Sequence, residues 1–293
     1  MRENLSNCPV CASEELASVV STVDYSTSKE DFEVVQCVNC THMFTQNRIV
    51  EENIGPYYDN PDYISHTDDQ KGLFATVYQQ LRRINLRRKL SYVNHYTKSG
   101  KILDYGCGTG QFLQTLQENG HNAVGVEIND RAREKASQFG VVSSSIESVE
   151  SDLDVITMWH VMEHVYDMHT LVEEFKTRLK KSGSVIIAVP NPESPDAKYY
   201  RKYWAAWDVP IHVHHFTKQS MVKFMGAHGF RLDDVIPMDM DAYYIALLSE
   251  QYKSGASKKS IWNWLNAVYQ GFRSNRKAGK QNTSSLIYRF TLA

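Results

Sequence analysis

The chain has no apolar run approaching the roughly 20 residues of a membrane-spanning helix. No charged-then-apolar secretory leader opens it. These absences argue against an integral helical membrane protein and make the cytoplasm the expected location. Cysteine is scarce, at five in 293 residues, and a reducing cytoplasm disfavours disulfides. Acid is missing over long stretches. From Gln70 to Leu103 there is no Asp or Glu, while Arg82, Arg83, Arg87, Arg88 and Lys89 cluster. None follows Glu250 either, where Lys258, Lys259, Arg273, Arg276, Lys277 and Lys280 gather. Residues 1–69 are acid-rich, with Glu14, Glu15, Glu30, Asp31, Glu33, Glu51, Glu52, Asp68 and Asp69 among them. A formal net charge of −2 therefore hides a segregation that suggests mutual docking of the ends or an anionic partner. The length leaves room for a full α/β domain with attachments.

Among what is present, Ile102-Leu-Asp-Tyr-Gly-Cys-Gly-Thr-Gly-Gln-Phe-Leu113 reads as a strand ending near an acid, a glycine turn and a helix start. Ala123-Val-Gly-Val-Glu127 reads as a second strand ending in an acid. The pair points to a nucleoside cofactor at the carboxyl ends of parallel strands. The spacing is G-x-G-x-G rather than the dinucleotide G-x-G-x-x-G. Asp104, just before the turn, would repel a pyrophosphate, whereas the ammonium group of S-adenosylmethionine prefers an acid nearby. Here the sequence resembles the class I S-adenosylmethionine-dependent methyltransferases, whose first motif reads acid-x-G-x-G-x-G. Gly106, Cys107, Gly108 and Gly110 are the expected loop contacts. Glu127 is the expected acceptor for the ribose hydroxyls, with Ile128 beside it. The resemblance implies that Asp104 supports the loop and the methionine end. It also implies that Ser145 and Ile146 meet the adenine, with a serine where an aspartate is common.

Four of the cysteines form Cys8-Pro-Val-Cys11 and Cys37-Val-Asn-Cys40, two C-x-x-C knuckles about 25 residues apart. That is the pattern of a four-thiolate zinc ribbon, with Phe32–Gln36 as a strand leading into the second knuckle. Such a site is closed, so the expected Zn2+ is structural.

The expected organisation is a zinc ribbon over 1–48, a connecting loop and basic helix over 49–99, and a core over 100–293. The loop is tyrosine-rich, with Tyr57, Tyr58 and Tyr63, and a helix is predicted from about 69 to 97. Strands are predicted at 101–105, 122–127, 140–143, 153–158, 184–190, 230–238, 242–248 and 284–291, with helices at 110–119, 129–138, 167–180 and 217–227. The alternation argues a doubly wound, mostly parallel α/β sheet. The resemblance implies seven strands with the last antiparallel. An insertion at about 256–274 carries apolar residues at helical spacing.

Two clusters carry the chemistry. His160-Val-Met-Glu163-His164 follows the fourth core strand, where the resemblance implies proximity to the sulfonium. His160 is read as a cofactor contact, and Glu163 and His164 as substrate-holding or base residues. The second is Trp204-Ala-Ala-Trp-Asp208-Val-Pro-Ile-His212-Val-His214-His215-Phe-Thr217. Three histidines this close raise the question of a metal. Yet Asp208 lies across a proline, and no facial triad is evident. A base near neutral pH fits better, and His215, before the helix cap Thr217, is the first choice, with His214 as an orienter. The segment resembles the Glu-His-Phe stretch of zinc-ribbon sugar C-methyltransferases, with His214 in place of the glutamate.

The expected function is methyl transfer from S-adenosylmethionine to an oxygen or carbon of a small molecule, such as a nucleotide-linked sugar or an envelope or secondary-metabolite precursor. A quinone or small phenol is the alternative acceptor. A nucleic-acid-binding or RNA-modifying ribbon protein is another reading, which the acidic ribbon disfavours. Peripheral membrane contact through the basic insertion is not favoured, and the sequence leaves the oligomeric state open.

Overall fold

A computed structural model describes residues 1–58, 73–255, 261–279 and 281–293. Tyr63, Asp68, Asp69, Lys258, Lys259 and Lys280 lie outside the described residues. So does the start of the expected insertion.

The central sheet has seven strands: β6 (Lys101–Tyr105), β7 (Asn122–Val126), β8 (Val142–Ser143), β9 (Leu153–Trp159), β10 (Leu179–Pro190), β12 (Phe230–Pro237) and β13 (Ser285–Leu292). Their spatial order is β12-β13-β10-β9-β6-β7-β8. The pairs β6–β7, β6–β9, β7–β8 and β9–β10 are parallel, and β13 runs antiparallel to both neighbours. The inner strands β9 and β10 are covered on both faces, which is why they read as near-continuous apolar runs. Alternate residues still sort to opposite sides. Leu103, Ile156, Val185 and Ile187 pack under the helices Met168–Arg178 and Lys218–Ala227. Ile102, Val155, Ile186 and Ala188 pack with Val93 of Leu73–Tyr96 and with Phe112, Leu113 and Leu116 of Gln111–Glu118. Side-chain oxygens cap several helices: Asn129 accepts from Ala132 N–H, Asp167 from Thr170 and Thr217 from Ser220, each at 3.0 Å.

One expected strand is a helix. Residues 242–248 lie within the helix Asp241–Ser254. The run Tyr-Tyr-Ile-Ala-Leu-Leu suits a strand by composition, but Ala242, Ile245, Ala246 and Ser249 are the buried positions. That i, i+3, i+4, i+7 period is helical. The helix packs against a second, Ile261–Ala278, and β13 follows it.

The N-terminal segment forms an antiparallel sheet of β2 (Leu16–Val23), β3 (Asp31–Cys37) and β4 (Met43–Gln46), after the short β1 (Arg2–Glu3), which pairs with β5 (Arg48–Ile49). A fourth strand comes from far along the chain: β11 (His214–His215) pairs with β4, His214 opposite Phe44 and His215 opposite Met43. The two regions also share one apolar core, in which Cys8, Val35, Cys37, Cys40 and Phe44 are continuous with Phe216 and Phe224.

Candidate active site

The turn after β6 needs positive φ three times, at Gly106 (72°), Gly108 (55°) and Gly110 (84°). Two of these glycines are also demanded by packing. A Cβ at Gly106 would stand 2.4 Å from a Val161 methyl, and one at Gly110 would stand 2.8 Å from Ala136 Cα. Gly108 differs, since nothing lies within 4 Å of its would-be Cβ. With no side chain there, that space stays open and the backbone can be approached closely. Its N–H donates to Glu127 Oε2 at 2.9 Å, and the Asn129 N–H donates to Oε1 at 2.9 Å. Each carboxylate oxygen is thus aimed by one amide and keeps acceptor capacity for a diol. Ile128, next in sequence, is 77% exposed, an apolar surface suited to the face of a base. These features fit an adenosyl group.

Asp104 is buried and accepts from Thr157 Oγ1 at 2.7 Å. Burial pushes its carboxyl up to about 6, against the Thr157 bond and the nearby Lys89 ammonium. A ligand ammonium would reverse part of that penalty. Cys107 is buried, and burial pushes its thiol up. Ser145 caps a short turn by accepting from Glu147 N–H at 3.2 Å, and Ile146 belongs to the core.

At the end of β9 the chain turns at His160, a non-glycine residue at φ 58°, pinned by its N–H to Ala188 O at 2.9 Å. Its ring lies between two carboxylates, with Asp241 Oδ2 3.0 Å from Nε2 and Glu163 Oε1 3.4 Å from Nδ1. Burial works against the imidazolium, but these two acids hold it up at about 10. Glu163 is 1% exposed, and neither of its carboxylate oxygens has a hydrogen-bond partner among the described residues. His164 Nδ1 donates to Ile211 O at 2.9 Å, with the Tyr58 hydroxyl at 3.1 Å. His212 Nδ1 donates to Ala206 O at 3.0 Å. The rings of His164 and His212 meet edge to face, 4.6 Å between centroids. Val213 N–H, bonded to Glu163 O at 2.9 Å, holds the two segments together. Asp208, at φ 35°, places Oδ2 3.9 Å from His212 Nε2. Burial, then the charges of Asp24 and Glu163, push its carboxyl up to about 7.

The structure therefore brings Glu163 and His164 together with His212, and places His214 and His215 in β11, with the His215 ring 6.3 Å from that of His212. His214 Nδ1 is 3.1 Å from His42 Nε2. His215 is 4% exposed, with Nε2 3.2 Å from Thr45 Oγ1 and Trp207 packed edge to face. Burial pushes both imidazoles down to about 3, so at neutral pH they are uncharged parts of the join between ribbon and core. The sequence alone does not single out Asp241, just before an expected strand, or Tyr58, read as linker. It offers His212 without pairing it with Glu163, 49 positions earlier. An acid opening a helix was the one local signal at Asp241.

In the ribbon, one donor atom from each of Cys8, Cys11, Cys37 and Cys40 lies within 4.8 Å of the others. Two sulfur pairs, Cys8–Cys40 and Cys11–Cys37, are 3.5 Å apart. Four sulfurs about 2.3 Å from one zinc would sit about 3.8 Å apart, so the donor set fits that ion. Val10 N–H points at Cys8 Sγ at 3.4 Å, as a thiolate would require.

Among curated proteins, the ubiquinone biosynthesis O-methyltransferase of Nitrosospira multiformis is 27% identical over 128 residues, covering 39% of this chain and 53% of that protein. The protein of the same name from Maricaulis maris is 30% identical over 106 residues, covering 32% and 42%. The chain spans about half the length of the curated relatives it matches. Among solved structures, geranyl diphosphate C-methyltransferase from Streptomyces coelicolor, with S-adenosyl-L-homocysteine bound, aligns at TM-score 0.52 and 12% identity over 78% of this chain and 87% of that one. Magnesium protoporphyrin IX methyltransferase from Synechocystis aligns at 0.52 and 11% over 80% and 97%. At such identities these two show a shared fold. The model of the methyltransferase domain family matches residues 62–235. With more than half its length inside that match, the chain belongs to the methyltransferase domain family.

Proposed function

We propose that the methyl acceptor is a small molecule with a ring-borne hydroxyl, held over the end of β9 and methylated on oxygen. The observation that carries this reading is the group Glu163, His164 and His212, one donor atom of each within 4.8 Å of the others, at the turn after β9. S-adenosylmethionine, when bound, supplies a methyl group on a positively charged sulfur. The chain's own residues do the rest. Gly108, Glu127, Ile128 and Asp104 hold the cofactor, with His160 at its reactive end. The Ile211 carbonyl, which can only accept, keeps the proton of His164 on Nδ1. The Nε2 lone pair is thereby fixed toward the cluster where the acceptor gives up its proton. Tyr58 and Asp208 flank that place.

The curated relatives named as ubiquinone biosynthesis O-methyltransferases support a quinol or phenol acceptor. A nucleotide-linked sugar, or another envelope or secondary-metabolite precursor, is a second reading. It is favoured by the ribbon, whose β4 backs the His212 segment: Thr45 N–H donates to Val213 O at 3.1 Å and Thr45 Oγ1 to His212 O at 2.7 Å. The four cysteines hold one structural zinc ion, with no open position for chemistry.

Replacing His164 by Ala is expected to lower turnover about 10²–10⁴-fold, the range for a positioned proton acceptor, with cofactor affinity by calorimetry nearly unchanged. Replacing His215 by Ala is expected to act on the melting temperature first. Lost turnover at unchanged melting temperature in His215→Ala, with His164→Ala active, would move the acceptor site to the ribbon join.

A further inference from the structure

We propose that Glu163, His164 and His212 form a binding site for a divalent transition-metal ion, distinct from the ribbon, whose open positions take the acceptor's oxygens. The inference rests on the acceptor-end reading above and replaces its base: with the Nε2 lone pair of His164 given to the ion, the acceptor's proton passes to solvent.

One donor atom from each of the three residues lies within 4.8 Å of the other two. The hydrogen bonds identify which nitrogens are on offer. Nδ1 of His164 faces the Ile211 carbonyl and Nδ1 of His212 faces the Ala206 carbonyl. A carbonyl accepts only, so each ring carries its proton on Nδ1 and presents an Nε2 lone pair. Metal-bound histidines are held this way, the second nitrogen donating to a carbonyl or carboxylate that fixes tautomer and orientation. The third donor supplies an independent sign. Glu163 is 1% exposed, and both its oxygens lack hydrogen-bond partners among the described residues. A buried carboxylate without such partners is costly. Its charged neighbour is the His160 ring, 3.4 Å from Oε1 and shared with Asp241, which leaves Oε2 with no partner among the described residues. A cation between Glu163 and the two imidazoles would satisfy all three.

Two imidazoles and one carboxylate suit zinc, iron or manganese better than calcium or magnesium. Ligands about 2.1 Å from one ion sit about 3–3.5 Å apart, so donor atoms within 4.8 Å of one another need close by less than about 2 Å. Three protein ligands leave adjacent positions open, which favours an acceptor with two neighbouring oxygens, such as a catechol or a vicinal diol. A hydroxyl ligated there loses its proton to solvent more readily, because the cation stabilises the oxyanion.

The test uses the full chain, stripped with a mild chelator that leaves the four-thiolate zinc in place, then titrated with Co2+ and followed by visible absorption. One further equivalent is expected, with weak nitrogen–oxygen bands and no thiolate charge-transfer band. Glu163→Gln and His212→Gln should weaken it by roughly 100-fold or more, beyond the loss from changing a residue that only hydrogen-bonds a ligand. Cofactor calorimetry on the same variants reports whether they are folded. Adding catechol to the cobalt-loaded chain should shift the spectrum. No cobalt bound beyond the ribbon by the wild-type chain overturns the site, as does equal binding by both folded variants. Cobalt binding without a response to catechol or to a vicinal diol overturns the acceptor half. Methyl transfer that persists without any second metal overturns the inference and leaves the proposed function standing.

Discussion

Glu127 works through two backbone amides and two oxygens, so its contribution can be isolated. Glu127→Ala is expected to weaken S-adenosylmethionine binding by about 1.5–3 kcal/mol, the scale of hydrogen bonds to a charged group. Calorimetry checks it, and an unchanged affinity would detach Glu127 from the ribose. Asp104 makes a prediction about pH. Its folded pKa of about 6 lies above the ordinary 3.8, so between about pH 4 and 6 the folded chain keeps a proton that the unfolded chain has lost. Stability from this group therefore falls as pH rises through that window, by roughly 3 kcal/mol in all. A bound ammonium reverses this above pH 6, where the carboxylate is ionised, and has little to attract at pH 5. S-adenosylmethionine should thus raise the melting temperature more at pH 7 than at pH 5, and equal shifts would show that Asp104 does not face the ammonium.

Among the elements, the two-residue strand β11 has the widest reach. It borrows its ladder from β4, and Thr45 ties down the carbonyls of His212 and Val213. Loosening the ribbon should therefore disturb His212 while leaving the distant glycine loop intact. Cys37→Ser is expected to lower turnover at least 10-fold with cofactor affinity within about twofold, measured by steady-state assay and calorimetry. Equal loss of both would mean that the ribbon supports the whole core. The same strand shows what was legible in the sequence. The glycine turn and Glu127 were readable because their contacts are local: a turn, a strand end and amides one or two residues away. The knuckles were readable because their pairing is local in sequence, and the structure gathers the four cysteine donors within 4.8 Å. The join of Glu163 to His212 was not, since it depends on the β9 turn meeting a segment 49 residues on, which no periodicity encodes. The run at 242–248 misled through composition, while its burial period, visible only against neighbours, is helical.

For the molecule as a whole, the shared apolar core means that residues 1–48 cover surface the rest of the chain cannot hide. Phe44, His42 and Phe216 form one aromatic group across the join, with His42 4.9 Å from the Phe216 ring. A chain beginning at residue 49 is expected to expose Phe216 and Phe224 and to accumulate in the insoluble fraction on expression. Recovery of a soluble, cofactor-binding fragment would show that the core stands alone.

The borrowed strand also bears on how such a protein can be recombined. A graft of this ribbon onto another methyltransferase, cut at residue 48, would present β4 to a stranger's loop with no His214 to meet His42. The exchangeable unit is discontinuous: the first 48 residues together with the stretch from Trp204 to Thr217, two pieces separated by the entire cofactor-binding half of the sheet. Substitutions in the one piece have to be answered in the other, so the lineage of the ribbon and that of the His212 segment should be a single lineage.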